Sequence, residues 1–249
     1  MSNAFEHHGI AHLSPSSANL FAAQPGLWVM EKLLGRKGSV GCAAHRGTAI
    51  EHGVAHGLVH PHRPVEECQA AGLGRYDELA LMSADARKAK HRESVCPAIA
   101  VALGELRQYG VPDMIQTRVE HRVDDLPVPI MGFLDFGWSQ HGIVVDLKTQ
   151  DRLSSDISEP HARQGSLYVH NTNMEMRFAY TTPAKIGVYV LDNPQKHMAA
   201  LVNICRRMGR FLAVSKDPAE LAGILAPDYS SFYWGDPATR ANGREVFGF

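Results

Sequence analysis

The chemistry of this chain concentrates around Asp146-Leu147-Lys148. In a β-strand, residues two apart share a face, so Asp146 and Lys148 stand side by side while Val145 and Leu147 turn the other way and can pack into a core. A carboxylate beside an ammonium group can hold a divalent cation and orient an attacking water. A surface ion pair fits the same triplet. Asp135 lies eleven positions upstream in the apolar run Met131-Gly132-Phe133-Leu134-Asp135-Phe136, where a buried carboxylate needs a partner or a metal. If the two segments form a hairpin, Asp135 and Asp146 meet across it and repel unless a cation sits between them. Oxygen ligands of this kind suit Mg²⁺ or Mn²⁺.

Three further sets of residues could join them. Gln164 and Tyr168 share a helix face at i,i+4, and both can donate hydrogen bonds to phosphate oxygens or to the catalytic groups. An ordinary amphipathic helix carries such a pair too. His52, His56 and His60 recur every four residues and line one helical stripe. That makes His52 a metal ligand or a neighbour of the metal site, makes the stripe a separate zinc site, or leaves it a plain surface. The H-E-x-x-H arrangement of zinc proteases is absent. Glu120, on the strand before Asp135, either adds a carboxylate or pairs across a surface.

The elements that must position these groups follow from the pattern. Residues 1–13 read as a mobile lead-in. Ser14-Pro15 opens a helix that ends at Gln24, and a second apolar stretch runs through Leu34. A helix is expected from Ala43 to Val59, a proline-rich turn at 60–64, and two more helices within 75–110, broken near Ser94 to Pro97. From Pro112 the residues follow strand rules, with strands near 114–123, 129–138 and 143–149. Glu159-Pro160 opens a helix to Asn171, followed by a strand at 185–191 and a long helix at 195–214. The order predicts one mixed α/β domain over 1–249, with a helical region at 14–111, a catalytic core at 112–214 and a C-terminal extension at 215–249.

Taken in order, Gly47…His52, Gly132-Phe133-Leu134-Asp135, Asp146-Leu147-Lys148 and Gln164-x-x-x-Tyr168 resemble the motifs of the PD-(D/E)XK nuclease superfamily, most closely its RecB-like exonuclease branch with phage-encoded members. Leu13-Ser14-Pro15-Ser16-Ser17, followed by Pro25 and Trp28, resembles the opening of that branch. Pro227-Asp228 and Tyr233-Trp234 resemble phage-type tails more loosely, and the likeness spans residues 13–235. The resemblance implies a restriction-endonuclease-like core, a central mixed sheet flanked by helices, with a helical N-terminal region. It implies that Asp135 and Asp146 bind Mg²⁺ or Mn²⁺ with the backbone carbonyl of Leu147, assisted by His52. Lys148 would orient or activate the attacking water and stabilise charge near the scissile phosphate. Gln164 and Tyr168 would position DNA and the site groups. Iron–sulfur relatives carry one Cys before the core and three after it. Here Gln24 precedes Pro25 and only Cys205 follows Tyr168, so no iron–sulfur cluster is expected.

The activity implied is metal-dependent exonucleolytic hydrolysis of DNA in phage or bacterial recombination or repair. The family analogy extends to a homo-oligomer and to a strand-annealing recombination protein as partner. A structure- or site-specific endonuclease, a non-catalytic DNA-binding subunit and a histidine-based zinc hydrolase are the alternatives. With 25 Lys+Arg against 26 Asp+Glu, the chain is not a protein that coats nucleic acid by bulk positive charge. Its cations come in groups: Arg36-Lys37 with Arg46, then Arg87-Lys88-x-Lys90-His91-Arg92, then Arg206-Arg207-x-x-Arg210. Of these, Arg46, Arg87, Lys88, Lys90 and Arg92 are the candidates for DNA-backbone contacts, with solvated helix faces as the alternative. Tyr229 to Trp234 can stack on bases or pack the C-terminal segment. No apolar stretch approaches the roughly 18 residues of a membrane span, and no export signal opens the chain. A cytoplasmic location is therefore expected, with Cys42, Cys68, Cys96 and Cys205 as free thiols lacking any CxxC pair.

Overall fold

Five strands form one mixed sheet in the computed structural model, which describes residues 3–248. They are β1 (Met114–His121), β2 (Ile130–Trp138), β3 (Ile143–Thr149), β4 (Glu175–Thr181) and β5 (Ile186–Val190), and they lie side by side in chain order. Neighbours are antiparallel except β3 and β4, which run parallel. A parallel pair needs a long crossover, and the helix Glu159–Thr172 supplies it.

Before the sheet come α1 (Ala4–His7), α2 (Pro15–Ala23), α3 (Pro25–Lys32), α4 (Cys42–Val59), α5 (Val65–Leu79), α6 (Lys88–Glu93) and α7 (Val95–Leu106). The crossover is α8, and α9 (Pro194–Leu212), α10 (Pro218–Gly223) and α11 (Pro237–Phe247) complete the chain. One apolar cluster joins α2, α8 and α9 to one face of the sheet through Leu134, Val144, Tyr168, Phe178 and Leu201. A second joins α4 and α7 to the other face through Ile50, Ile99, Leu103, Phe136, Val145 and Leu147. α5 lies close on α4 because both present glycine: a Cβ on Gly72 would come within 2.9 Å of the Ala49 carbonyl. No helix among the described residues is long and apolar enough to cross a membrane.

Three features differ from the sequence expectation, and a fourth, at the C-terminus, decides for packing between the two readings of Tyr229 to Trp234. The described part of the lead-in, residues 3–13, is anchored rather than mobile. Asn3 and Glu6 cap α1, Phe5 is buried, and Leu13 exchanges backbone hydrogen bonds with Pro129 and Met131 at 2.9 and 2.8 Å. α5 starts at Val65, directly after the proline-rich turn; its Ala/Gly-rich sequence gives little apolar periodicity to read. β4 is a strand that no expectation covered. It follows α8 after a single turn in which Asn173 takes φ +55°, and its polar–apolar alternation, Glu175-Met176-Arg177-Phe178, is only four residues long. The C-terminal segment folds into α10 and α11, with Trp234 fully buried against Leu27 and Met30 and its indole N–H donating to Gln24 Oε1 at 3.1 Å.

The inward–outward alternation of β1 and β2 breaks on one rung. Ile115 and Phe136 pack on the α4 side, yet Val119 and Leu134, which share their parity, pack on the α8 side. The residues at the break are Gln116, held at φ +46°, and Asp135. Left-handed φ is costly for a residue with a side chain and gathers at functional sites.

Candidate active site

β2 and β3 pair only from Phe136–Val145 to Trp138–Ile143 and then part. In the opening, the backbone N–H of Leu147 donates to Asp135 Oδ2 at 2.9 Å, where a sheet partner would otherwise accept it. Asp135 is thus built into the sheet at the point of splay, and its neighbour Asp146 is completely buried. Lys148 Nζ lies 2.6 Å from Asp146 Oδ1. Beyond that ion pair, the Asp146 carboxylate oxygens have no hydrogen-bond partner among the described residues. A buried, under-partnered carboxylate is costly, and a native structure keeps one where something else is to be bound.

A third carboxylate, Glu51 on α4, joins the pair. The Gln116 side-chain amide donates to Glu51 Oε1 and, at 3.2 Å, to Asp135 Oδ1. Burial and then the Asp146 charge raise the Glu51 pKa. Burial pushes Asp135 well above the usual carboxylate range, and Asp146 and Glu51 add to it. Burial works against the Lys148 ammonium, yet Asp146, Asp135 and Glu51 together hold its pKa above the ordinary value. Three carboxyl groups thus act on one ammonium, and two of them, Asp135 and Glu51, are driven towards their protonated forms.

Gln164 and Tyr168 sit behind this group. Gln164 Nε2 donates to the Tyr168 hydroxyl at 2.7 Å, and that hydroxyl donates to the Phe133 carbonyl at 2.7 Å. The pair fastens α8 to β2 two residues before Asp135. Gly132 permits the close approach, since a Cβ there would stand 3.1 Å from the Tyr168 ring. Burial raises the Tyr168 pKa, so the phenol stays protonated and remains a donor. His161, one turn earlier on α8, places Nδ1 2.7 Å from the Tyr180 hydroxyl. Burial, then the charge of Lys148, lowers its pKa to about 4, so the ring is neutral at pH 7.

The fold therefore brings together Asp135, Asp146, Leu147, Lys148, Gln164 and Tyr168. It does not bring in His52, which is exposed on the solvent side of α4. The helix rotates about 100° per residue, so Glu51 faces the sheet while its neighbour turns away. His56 and His60 meet edge to face, ring centroids 5.2 Å apart, along the same outer stripe. Glu120 is also elsewhere: Arg118 and Arg122 hold its two oxygens at 2.6 and 2.8 Å. Glu51 had a sequence signal, because Gly47, Ile50, Glu51 and Val54 fall on the core-facing stripe of α4. Gln116 had none, since nothing in its type foretells φ +46°.

Most of the candidate DNA-binding cations have partners. Arg46 is buried and paired with Asp151. Arg87 pairs with Asp85 at 3.3 Å, and Arg92 grips Asp77 with two bonds of 2.6 and 2.7 Å. Lys88 donates to the Leu81 carbonyl at 3.1 Å, and Lys90 is exposed.

Among the described residues, no three His, Cys, Asp or Glu side chains converge as a ready-made metal cage. What the site offers a hard cation is the under-partnered Asp146 carboxylate beside Asp135, whose proton a bound cation would displace. Mg²⁺ commonly binds through one or two carboxylates and completes its shell with water and substrate phosphate, so the donor set fits it.

No protein family matches the chain, and no curated protein does. Among solved structures, SSO0001 is similar to it at 16% identity, with a TM-score of 0.37, over 64% of this chain and 82% of the other. That likeness is too slight to carry an argument.

Proposed function

We propose that the protein is a Mg²⁺- or Mn²⁺-dependent deoxyribonuclease with a restriction-endonuclease-like core, acting as an exonuclease in DNA recombination or repair. The observation that carries this reading is the buried Asp146 carboxylate, under-partnered beside Asp135 and Lys148 where β2 and β3 part. Asp135, Asp146 and the Leu147 carbonyl would hold the cation. A bound cation of this class polarises a phosphate and lowers the pKa of water. Lys148, kept protonated by the surrounding carboxylates, donates hydrogen bonds to the attacking water and to negative charge growing on the phosphate. Glu51, its pKa raised by burial and then by the Asp146 charge, is the carboxylate suited to take a proton from that water. Gln164 and Tyr168 act at one remove, fixing the strand that carries Asp135.

The test uses purified protein with Mg²⁺ or Mn²⁺ on matched linear and covalently closed circular duplexes, with Asp146→Ala as control. Degradation of linear DNA alone, lost in the variant, supports the exonuclease. Cutting of the circle moves the reading to an endonuclease of the same core. Full cleavage by Asp146→Ala removes the assignment.

A further inference from the structure

The open face of β1 and β2 carries a second feature beside the carboxylates. Phe133, two residues before Asp135, is 52% exposed although its own strand is otherwise largely buried. A single exposed apolar side chain needs no explanation by itself. What distinguishes Phe133 is its setting. Its carbonyl is the acceptor for Tyr168, and Arg118 is its partner across the β1–β2 ladder. Arg118 lies over Met131 Sδ at 3.5 Å, and it shares Glu120 with Arg122. Two guanidinium groups on one carboxylate leave positive charge along this edge. A groove of about 580 Å³ continues from Arg118 and Arg122 between Pro127–Pro129 and the segment bearing Ile10 and His12. Glu6, on its far wall, is engaged in capping α1.

We propose that this face is the approach track of an unpaired DNA strand, with a base stacked on Phe133 and phosphates held by Arg118 and Arg122. The inference rests on the nuclease reading and adds the form of the substrate. Along a strand two residues span about 7 Å, comparable with one nucleotide of extended DNA, so a base on Phe133 sets the adjoining phosphate beside Asp135. Within a duplex, bases stack on one another and offer no free face to a side chain. An overhang or frayed end does. The cations act on the backbone and are indifferent to base identity, so the track selects for strandedness rather than sequence.

The experiment measures fluorescence anisotropy of a labelled oligothymidine and of a blunt duplex hairpin, in EDTA so that nothing is cut. Wild type, Phe133→Ala, Phe133→Trp and the Arg118→Ala/Arg122→Ala pair are compared. Phe133 is solvent-exposed, so its replacement leaves the core intact, which thermal unfolding checks. The expected result is about a tenfold loss of oligothymidine affinity in Phe133→Ala, rescue by Phe133→Trp, and little change on the hairpin. The double arginine variant weakens binding and flattens its salt dependence. Unchanged oligothymidine affinity in Phe133→Ala overturns the track. If wild type still degrades DNA and Asp146→Ala does not, the nuclease reading survives that failure. A wild type that neither binds nor cuts DNA ends both.

Discussion

The acidic cleft and the basic helix α6 handle charge in opposite ways. On α6 and around it, Arg92 grips Asp77, Arg87 pairs with Asp85, and buried Arg46 has Asp151. In the cleft, Lys148 pairs with Asp146 while the charges of Asp135 and Glu51 also bear on it, and Asp146 is left short of partners although fully buried. Satisfied charges are what folding alone requires. Unsatisfied buried ones cost stability and persist where they serve binding or catalysis. The difference is why the proposed function is placed in the cleft and not on the cationic runs, whose solvated or paired faces were the alternative to a DNA-tracking groove.

The sharpest way to break that contrast is to remove an acid. Asp146→Asn and Asp135→Asn are each expected to lower Mg²⁺-dependent cleavage by about a thousandfold or more, as loss of essential catalytic groups does. Mg²⁺ should raise the Tm of wild type by binding the folded state and should not raise that of either variant. Stability should move against activity in Asp135→Asn. Its folded pKa lies above the unfolded value, so the folded state holds a proton the unfolded chain has released. Wild type then loses stability as pH rises from the unfolded carboxylate range through the raised value. Without metal, Asp135→Asn should equal or exceed wild type in Tm at pH 7.5, with its advantage shrinking towards pH 4. Thermal melts across that range check the sign, and a wild type that gains relative stability with rising pH contradicts it.

Next in size is Lys148→Met. Removing one charged donor aimed at developing negative charge typically costs a hundredfold to a thousandfold in kcat, on the order of 3–4 kcal/mol. Metal affinity should survive, since Asp135 and Asp146 remain. Titrating Mn²⁺ into the variant separates the two effects, and a loss of metal binding equal to that of Asp146→Asn would make Lys148 a structural counter-ion instead.

Gln116 tests how the cleft is held open. Alanine removes its bridge between Glu51 and Asp135 and keeps the left-handed strain; glycine removes the bridge and relieves the strain. Both variants should lose activity by about tenfold, a fraction of what essential groups cost. Gln116→Gly should be the more stable by about 1 kcal/mol, the usual penalty of left-handed φ. Denaturant unfolding of the two decides it, and equal stabilities would mean the conformation at 116 costs nothing here.

How much of this could be read in the chain depends on whether a residue breaks a local rule. Asp135 does, being an acid inside an apolar strand, and Asp146 and Lys148 stand out by sharing a face between buried valine and leucine. Ser14-Pro15 announces a helix start, and the structure shows Ser14 accepting from the Ser17 N–H at 3.2 Å. Glu51 breaks no rule in a linear reading. It emerges only when α4 is wrapped at its helical period, and the histidine beside it is the more conspicuous residue. β4 is hidden because its alternation, Glu175-Met176-Arg177-Phe178, is brief and begins one turn after α8, too short a run to separate from the helix before it. The Arg92–Asp77 pair is out of reach for another reason: Asp77 is fifteen residues from Arg92, and only the packing of α5 on α6 and α7 joins them.

That last point supplies the mildest prediction. Arg92 and Asp77 are both about half exposed, and exposed pairs contribute little to stability. Arg92→Ala should therefore shift Tm only slightly and change DNA affinity by less than about twofold, because a paired guanidinium releases few counter-ions on meeting phosphate. Lys90, exposed two residues earlier without such a grip, is the internal control on the same helix. If Arg92→Ala weakens DNA binding as strongly as the Arg118→Ala/Arg122→Ala pair, then α6 does contact the backbone and its ion pairs open on binding. If Lys90→Ala is the more damaging of the two, unpaired charge rather than charge density marks where the DNA lies.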